Sequence, residues 1–277
     1  MSCINEQSYL ALCTLLSEQI ALSLPADKAY LAEARLQNLA RLHTRGDINA
    51  LIEKASTVAC NALRTELVEA MAINETYFFR DPMFSESLRD VMLPALLERR
   101  KKQKTLRIWS AACSTGQEPY SVAMLLEEHF PQLKDWDIQI IASDFSRTAL
   151  DKARTGSYGL NEMNRGLPAR SMARHFEQNG LEWQIKPTLR ARVHFQQINL
   201  VREWPHGFPT FDIILLRNVL LYFSLEDRQQ LLAKIRKQTA ADGYLLLGAT
   251  ESLEKSAGFV PAVAGSHRPF YQPSLKV

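Results

Sequence analysis

Through roughly the first seventy residues, apolar positions recur at steps of three and four, the period of an α-helix with one buried face. Tyr9, Leu12, Cys13, Leu16 and Ile20 mark a first helix that Pro25 closes. A second runs from about Asp27 to His43 and stops at Gly46. Asp47 can cap a third through Lys54, and Leu63, Leu67 and Met71 mark a fourth. In the second helix Leu31, Leu39 and Leu42 form the expected apolar face, shared by Lys28 and Arg35, with Arg41 and Arg45 well round from it. Two readings stand: long cations snorkelling at the edge of an apolar face, or a surface that docks an acidic helical partner.

The period changes after the basic run Arg99 to Lys104, which reads as a solvated linker. Leu106 to Trp109 is a short apolar run of strand type. A small-residue turn, Ser110 to Gly116, then feeds a helix carrying Tyr120, Val122, Ala123, Leu125 and Leu126. Asp137 to Ala142 predicts a second strand and Ser146 to Arg154 a helix. Leu167 to Phe176 predicts another helix. Leu181 to Lys186 and Arg192 to Gln197 then predict a small antiparallel hairpin. Phe211 to Arg217 reads as a strand buried on both faces, followed by a helix capped by Ser224 with Asp227 three residues on. Gly243 to Gly248 holds a last central strand, and Phe259 to Gln272 has the punctuation of a closing hairpin.

Strand, tight small-residue loop and helix form the first unit of a nucleotide-binding α/β domain, where backbone N–H groups can approach a ligand. The loop holds one glycine, Gly116, and so departs from the dinucleotide fingerprint; an ordinary βα turn is the plainer alternative. Asp144 ends the second strand, the place from which such domains hold ribose hydroxyls, and could equally cap the next helix. Asn74 to Pro82, NETYFFRDP, places Phe78 and Phe79 among polar Asn74, Thr76 and Arg80. That pattern predicts a segment packed by its aromatics with its polar side chains toward a site, or a well-packed connection whose Arg80 pairs with a surface acid. Asp81 and Pro82 read as N-cap and first residue of a helix to about Arg100, broken near Pro94.

Composition narrows the function classes. A chain of 277 residues with 46% hydrophobic and 23% charged residues is that of a globular protein with a real core. The net charge of +3 falls short of a nucleic-acid-binding signature. No apolar run approaches a membrane span and the N-terminus has no leader pattern, so membrane insertion is not expected. Cys3, Cys13, Cys60 and Cys113 form no C-x-x-C pair and no metal spacing, which points to a reducing cytoplasm and no metal. There is no Ser-His-Asp set or Cys-His pair, and the histidines are scattered surface or structural residues.

NETYFFR, SAACSTGQEPYS, ASDFS, INL and FDIILLRNVLLYF occur in the order found in bacterial chemotaxis receptor methyltransferases of the CheR type, which nearly the whole chain resembles. The resemblance implies a Rossmann-like S-adenosylmethionine-dependent methyltransferase domain over residues 106–277, with a small antiparallel β-subdomain inserted at about 175–197. An all-α domain over residues 1–72 and a connecting segment and helix over 73–105 precede it. The implied reaction moves a methyl group to glutamate side chains of chemoreceptor cytoplasmic helices, giving methyl esters and S-adenosylhomocysteine. Asn74, Thr76, Arg80, Glu118, Asp144, Asn199, Leu200, Arg217 and Asn218 match cofactor-contacting positions. Tyr222 matches a tyrosine beside the reacting methyl, against a plain core tyrosine, and with Arg80 makes up the catalytic pair. Lys28, Arg35, Arg41 and Arg45 become the receptor-binding set. A monomer is expected.

The chemistry fits without a base, because a glutamate of pKa ~4.3 is ionised near neutral pH and can attack a sulfonium methyl in line. Positioning and desolvation remain as the protein's work, and the planar fork of Arg80 suits a carboxylate. Two departures from the family pattern stand out. Gln117 replaces the first of two common glutamates while Glu118 keeps the second. The Glu177 to Trp183 turn is short and lacks the glycine-rich loop of members that grip a receptor's C-terminal pentapeptide, so no tether is expected. A methyltransferase acting on RNA or a small molecule, and a non-catalytic adaptor that binds S-adenosylmethionine, are the rival readings.

Overall fold

The structure is a computed structural model, describing residues 3–57, 60–253, 258–263 and 269–274. The chain forms two compact units, Met1–Ile73 with Tyr222–Arg228, and Asn74–Leu221 with Gln229–Val277.

The first unit holds four helices, α1 (Glu6–Ile20), α2 (Ala29–Thr44), α3 (Ile48–Ser56) and α4 (Asn61–Met71), with a 3-10 turn, Ala26–Lys28, before α2. Asp47 caps α3 as expected, accepting from the N–H groups of Asn49 and Ala50. Leu12, Leu16, Leu36, Leu51, Ile52 and Leu67 are fully buried. The expected face of α2 needs correction. Ala32, Leu36 and Ala40 are its buried residues, whereas Leu31 is 37% and Leu42 79% exposed. Small alanines let neighbouring backbones approach closely, and a pattern read from large apolar residues overlooks them.

In the second unit, α5 (Pro82–Ser87) and α6 (Leu93–Arg100) are joined by one π turn, Leu88–Met92. The Leu93 N–H bonds to Leu88 O. Pro94 has no N–H and its ring crowds the preceding turn, so widening that turn replaces the expected break. Asp81 precedes Pro82 but makes no side-chain cap. Its carboxylate is engaged elsewhere, as described below.

Then follow β1 (Thr105–Ala111), α7 (Gln117–His129), β2 (Asp137–Asp144), α8 (Arg147–Thr155), β3 (Ser157–Gly159), α9 (Leu160–Met163), α10 (Ala169–His175), β4 (Phe176–Asn179), β5 (Glu182–Ile185), α11 (Pro187–Arg190) and β6 (Val193–Gln197). The chain closes with β7 (Phe211–Leu216), α12 (Leu225–Gln238), β8 (Thr239–Leu247), β9 (Phe259–Pro261) and β10 (Phe270–Pro273). The main sheet runs β6-β2-β1-β7-β8-β10-β9. Its first five strands are parallel, and the two remaining pairings, β8 with β10 and β10 with β9, are antiparallel. All six residues of β7 are buried, as a strand covered on both faces requires. The N-terminal ends of β7 and β8 are tied by Arg100, whose guanidinium reaches Asp212 at 2.9 Å and Asp242 at 2.6 Å.

The small sheet, β3-β5-β4, differs from expectation. Its hairpin pairs β4 with β5 through a turn of Gly180 and Leu181, and β3 adds a third strand. Val193–Gln197 is instead the parallel edge strand beside β2. Pro187 starts a helical turn here, which makes residues 186–192 a connection rather than a tight hairpin loop. Phe78 is fully buried, its ring 5.0 Å from Tyr158 and 5.5 Å from Phe176 in edge contacts. The NETYFFR segment is thus packed by an aromatic, as expected. Among the described residues no helix is long and apolar enough to cross a membrane.

Candidate functional site

Strand order reverses direction at β1, with β2 and β6 on one side and β7 and β8 on the other. The crevice beyond the carboxyl ends at such a switch point is where open α/β sheets bind ligands. Backbone strain gathers there. Eight described residues other than glycine have positive φ, and Phe79, Asp81, Ala112, Ser114 and Asn218 are five of them. Each such conformation costs about 1–3 kcal/mol and persists only where the surroundings impose it. Gly116, at φ 96, needs its missing side chain, because a Cβ would lie 2.9 Å from Ala153 Cβ and 3.1 Å from the Tyr158 hydroxyl. That hydroxyl donates to Thr115 O at 2.8 Å, holding the loop after β1.

One polar chain runs through the ends of β1 and β2. Asp144 is 4% exposed. Its Oδ2 accepts from Ser114 N–H at 2.8 Å and its Oδ1 from Ser146 N–H at 2.9 Å. The Ser114 hydroxyl donates to Asn74 O at 3.0 Å. Ile198 N–H bonds to Asp144 O, which sets Asn199 beside the same strand end. Ser146, rather than Asp144, caps α8 through Ala149 N–H. Leu200 is buried, and Asn199 Oδ1 accepts from Val201 N–H at 3.1 Å.

A second chain joins β7 to β1. Arg217 follows β7 and donates to Glu118 at 2.9 Å, to Asp81 at 2.8 Å and to Arg80 O at 2.5 Å. Its guanidinium stands 4.2 Å from the centre of the Phe84 ring. Glu118 also accepts from the buried Ser110 hydroxyl at 2.7 Å. The carboxylate of Asp81 is spent on this cation, which is why it does not cap α5. Two buried polar atoms at this end of β7, Arg217 Nε and Asn218 Oδ1, have no partner among the described residues.

At the exposed side of the NETYFFR segment, Arg80 donates to Glu75 O at 2.9 Å and lies 5.6 Å from the Tyr77 ring. Arg165 covers the same ring at 4.4 Å and bonds Glu75 at 2.6 Å, which holds the Glu75 carboxyl below its usual range. Gln117 bonds Glu162 through its amide at 3.3 Å and accepts from the Thr115 hydroxyl at 2.8 Å, so this departure serves loop packing. Burial pushes the Cys113 thiol well up, which keeps it a neutral packing group.

Asn74, Glu118, Asp144, Asn199, Arg217 and Asn218 therefore come together at one end of one sheet. Thr76 and Arg80 lie on the adjoining segment. Tyr222 ends a 3-10 turn that begins at Leu220 and belongs to the first unit, its carbonyl accepting from Ser23 N–H at 3.0 Å. On α2, Arg41 and Arg45 are exposed, and Lys28 lies 3.6 Å from Asp27. Arg35 is committed to structure, donating to Met71 O and Ala72 O at the end of α4. Sequence reasoning missed Ser110, Asp81, Ser114 and Glu251. Only Glu251 left a visible signal, an acid placed just beyond an apolar strand.

Residues 74–267 match the family model described as CheR methyltransferase, SAM binding domain. The chain is 38% identical over 243 residues to Chemotaxis protein methyltransferase 1 of Pseudomonas aeruginosa, covering 86% of this chain and 87% of that one. Chemotaxis protein methyltransferase Cher2 of Pseudomonas putida is 36% identical over 243 residues, with the same coverage of 86% and 87%. Chemotaxis protein methyltransferase 1 of Vibrio cholerae is 35% identical over 254 residues, covering 90% of each chain.

Proposed function

The chain belongs to the CheR methyltransferase family, and from that premise we propose that it methylates glutamate side chains on the cytoplasmic helices of chemoreceptors. It is an S-adenosylmethionine-dependent methyltransferase of chemotaxis. The products of the proposed reaction are glutamyl methyl esters and S-adenosylhomocysteine, and the site of action is the cytoplasm. The observation that carries the reading is the pair of orphaned buried atoms, Arg217 Nε and Asn218 Oδ1, at the switch point.

Those atoms suit the cofactor. A guanidinium N–H fits a carboxylate and an amide oxygen fits an ammonium, the two ends of an amino-acid moiety. Asp144 suits the ribose diol. A carboxylate accepts several hydrogen bonds at once, so holding backbone N–H groups does not by itself bar the diol. Asn74, Thr76, Glu118, Asn199 and Leu200 complete the proposed contacts.

Bound S-adenosylmethionine supplies an activated methyl group. The residues of this chain orient it and the attacking carboxylate. With a substrate pKa of ~4.3 no proton has to be removed near neutral pH, so the gain comes from alignment and exclusion of water. Arg80, half-buried beside Tyr77, is assigned to the incoming carboxylate, which its planar fork suits. Tyr222 is assigned to the methyl-transfer pocket on the family resemblance alone. Lys28, Arg35, Arg41 and Arg45 are the proposed receptor-docking cations, with Arg41 and Arg45 the most available. The two-residue Gly180–Leu181 turn supports the absence of a pentapeptide tether.

Incubation with radiolabelled S-adenosylmethionine and receptor cytoplasmic fragments tests the reading. Base-labile label on the fragments, lost when their glutamates are changed to alanine, is the expected result. Tight cofactor binding with no label on any fragment would instead favour a non-catalytic adaptor.

A further inference from the structure

Asn218 sits in the left-handed region at φ 58, a conformation asparagine tolerates but that needs neighbouring contacts to be held in one place. Glu251, just past β8, supplies them. The residue is 8% exposed. Its Oε2 accepts from Asn218 N–H at 2.6 Å and from Gly248 N–H at 2.8 Å, while Oε1 faces Leu221 N–H at 3.4 Å. Gly248 makes the room, since a Cβ there would lie 2.6 Å from Asn218 Nδ2 and 2.8 Å from Glu251 Oε2. One carboxylate thus locks the turn after β7 to the turn after β8.

A buried carboxylate is costly unless its acceptor capacity is met. Among the described residues no cation pairs with Glu251, and the groups that bond to its carboxylate are backbone N–H groups. The opposite flank of the same turn is held differently, Arg217 being fixed by Glu118 and Asp81. Two independent devices therefore fix two consecutive residues that match cofactor contacts.

We propose that Glu251 is a positioning residue of the cofactor site, fixing the backbone of Asn218 so that its amide is presented to S-adenosylmethionine without Glu251 touching the ligand. The inference rests on the reading that Asn218 contacts the cofactor. It differs from a general stabilising role, because the loss should appear in ligand affinity beyond what instability alone causes.

Calorimetry on the full chain with S-adenosylmethionine and S-adenosylhomocysteine, paired with thermal melting, tests it on Glu251→Ala and Glu251→Gln. Asp242→Asn, which weakens an ion pair at the other end of the sheet, serves as the stability control. Glu251→Ala should raise both dissociation constants at least ~10-fold, about 1.4 kcal/mol. Glu251→Gln, which keeps one acceptor oxygen for Asn218, should fall between it and the wild type, and Asp242→Asn should stay within about twofold of wild type. Wild-type affinity in both folded Glu251 variants overturns the inference, as does an equal loss in Asp242→Asn. If Glu251→Ala fails to fold, Glu251→Gln alone decides. A wild-type protein that binds neither ligand overturns the underlying reading of the site instead.

Discussion

At the scale of single residues, the site depends on carboxylates that do two things at once. Asp144 holds the loop after β1 through Ser114 and the start of α8 through Ser146, and is also the proposed ribose acceptor. Asp144→Ala should therefore weaken S-adenosylmethionine binding by ~1.5–3 kcal/mol, the range for hydrogen bonds to a charged group. Calorimetry checks this, and unchanged affinity in a folded variant would refute it. Asp144 was legible in the sequence because its place at the end of an apolar run is a local property. Asp81 does stand at the N-cap position before Pro82, but the role of its carboxylate was not legible, for the opposite reason. An Asp-Pro pair has the local signature of a helix start, but the partner that takes its carboxylate, Arg217, lies 136 residues away. Ser110 and Ser114 carry no signal at all, since nothing in a small-residue loop marks which hydroxyl or N–H will meet a ligand-binding acid.

Among elements, the strands with strong apolar runs and the helices with clear caps could be read directly, including β1, β2, β7, α3 and the Ser224 start of α12. The small sheet could not, because Phe176–Asn179 and Ser157–Gly159 are too short and polar to register against their neighbours. The hairpin bears on how substrate is found. A free strand edge can capture an extended peptide through main-chain bonds, but a Gly180–Leu181 turn offers little beyond that edge. A receptor tail pentapeptide should give no calorimetric binding at micromolar concentration, and truncating the tail should leave the methylation rate within about twofold, since no tether raises the local concentration. A large rate loss on truncation would reverse this reading. A second expectation concerns the strand ends held by Arg100. Its hydrogen bonds keep the Asp242 carboxyl below the usual range, against the opposing pull of partial burial. A carboxyl with a lowered folded pKa adds stability above its unfolded pKa of ~3.9, and that increment is lost as pH falls through the folded value. The melting gap between wild type and Asp242→Asn should be full near pH 7 and close progressively below about pH 4. A gap independent of pH would remove the ion pair as its cause.

At the scale of the whole molecule, the residues assigned to the cofactor site and those assigned to the receptor fall in different compact units, the exception being Tyr222. This division makes the docking proposal separable from the chemistry. The net charge of +3 is too small to steer an acidic partner by itself, so any salt dependence has to come from the local cations of α2. Arg35 is a poor probe, because removing it strips Met71 and Ala72 of their donor and would unsettle the end of α4. Arg41 and Arg45 are exposed. Arg45 is the C-cap residue of α2 through its backbone, but among the described residues neither side chain is in a hydrogen bond or ion pair, so they are the better probes of the electrostatic question. The double change Arg41→Glu with Arg45→Glu should lower methylation of receptor fragments at least ~10-fold while S-adenosylmethionine affinity stays within about twofold. Raising ionic strength from about 0.05 to 0.3 M should slow the wild type, whose encounter is screened as the Debye length shrinks, and should not slow the variant further. Receptor methylation and cofactor binding falling together would show that these cations stabilise the fold rather than meet the receptor. A wild-type rate indifferent to salt would place the docking energy in apolar contacts instead, and the exposed Leu31 and Leu42 on the same helix would then be the residues to change.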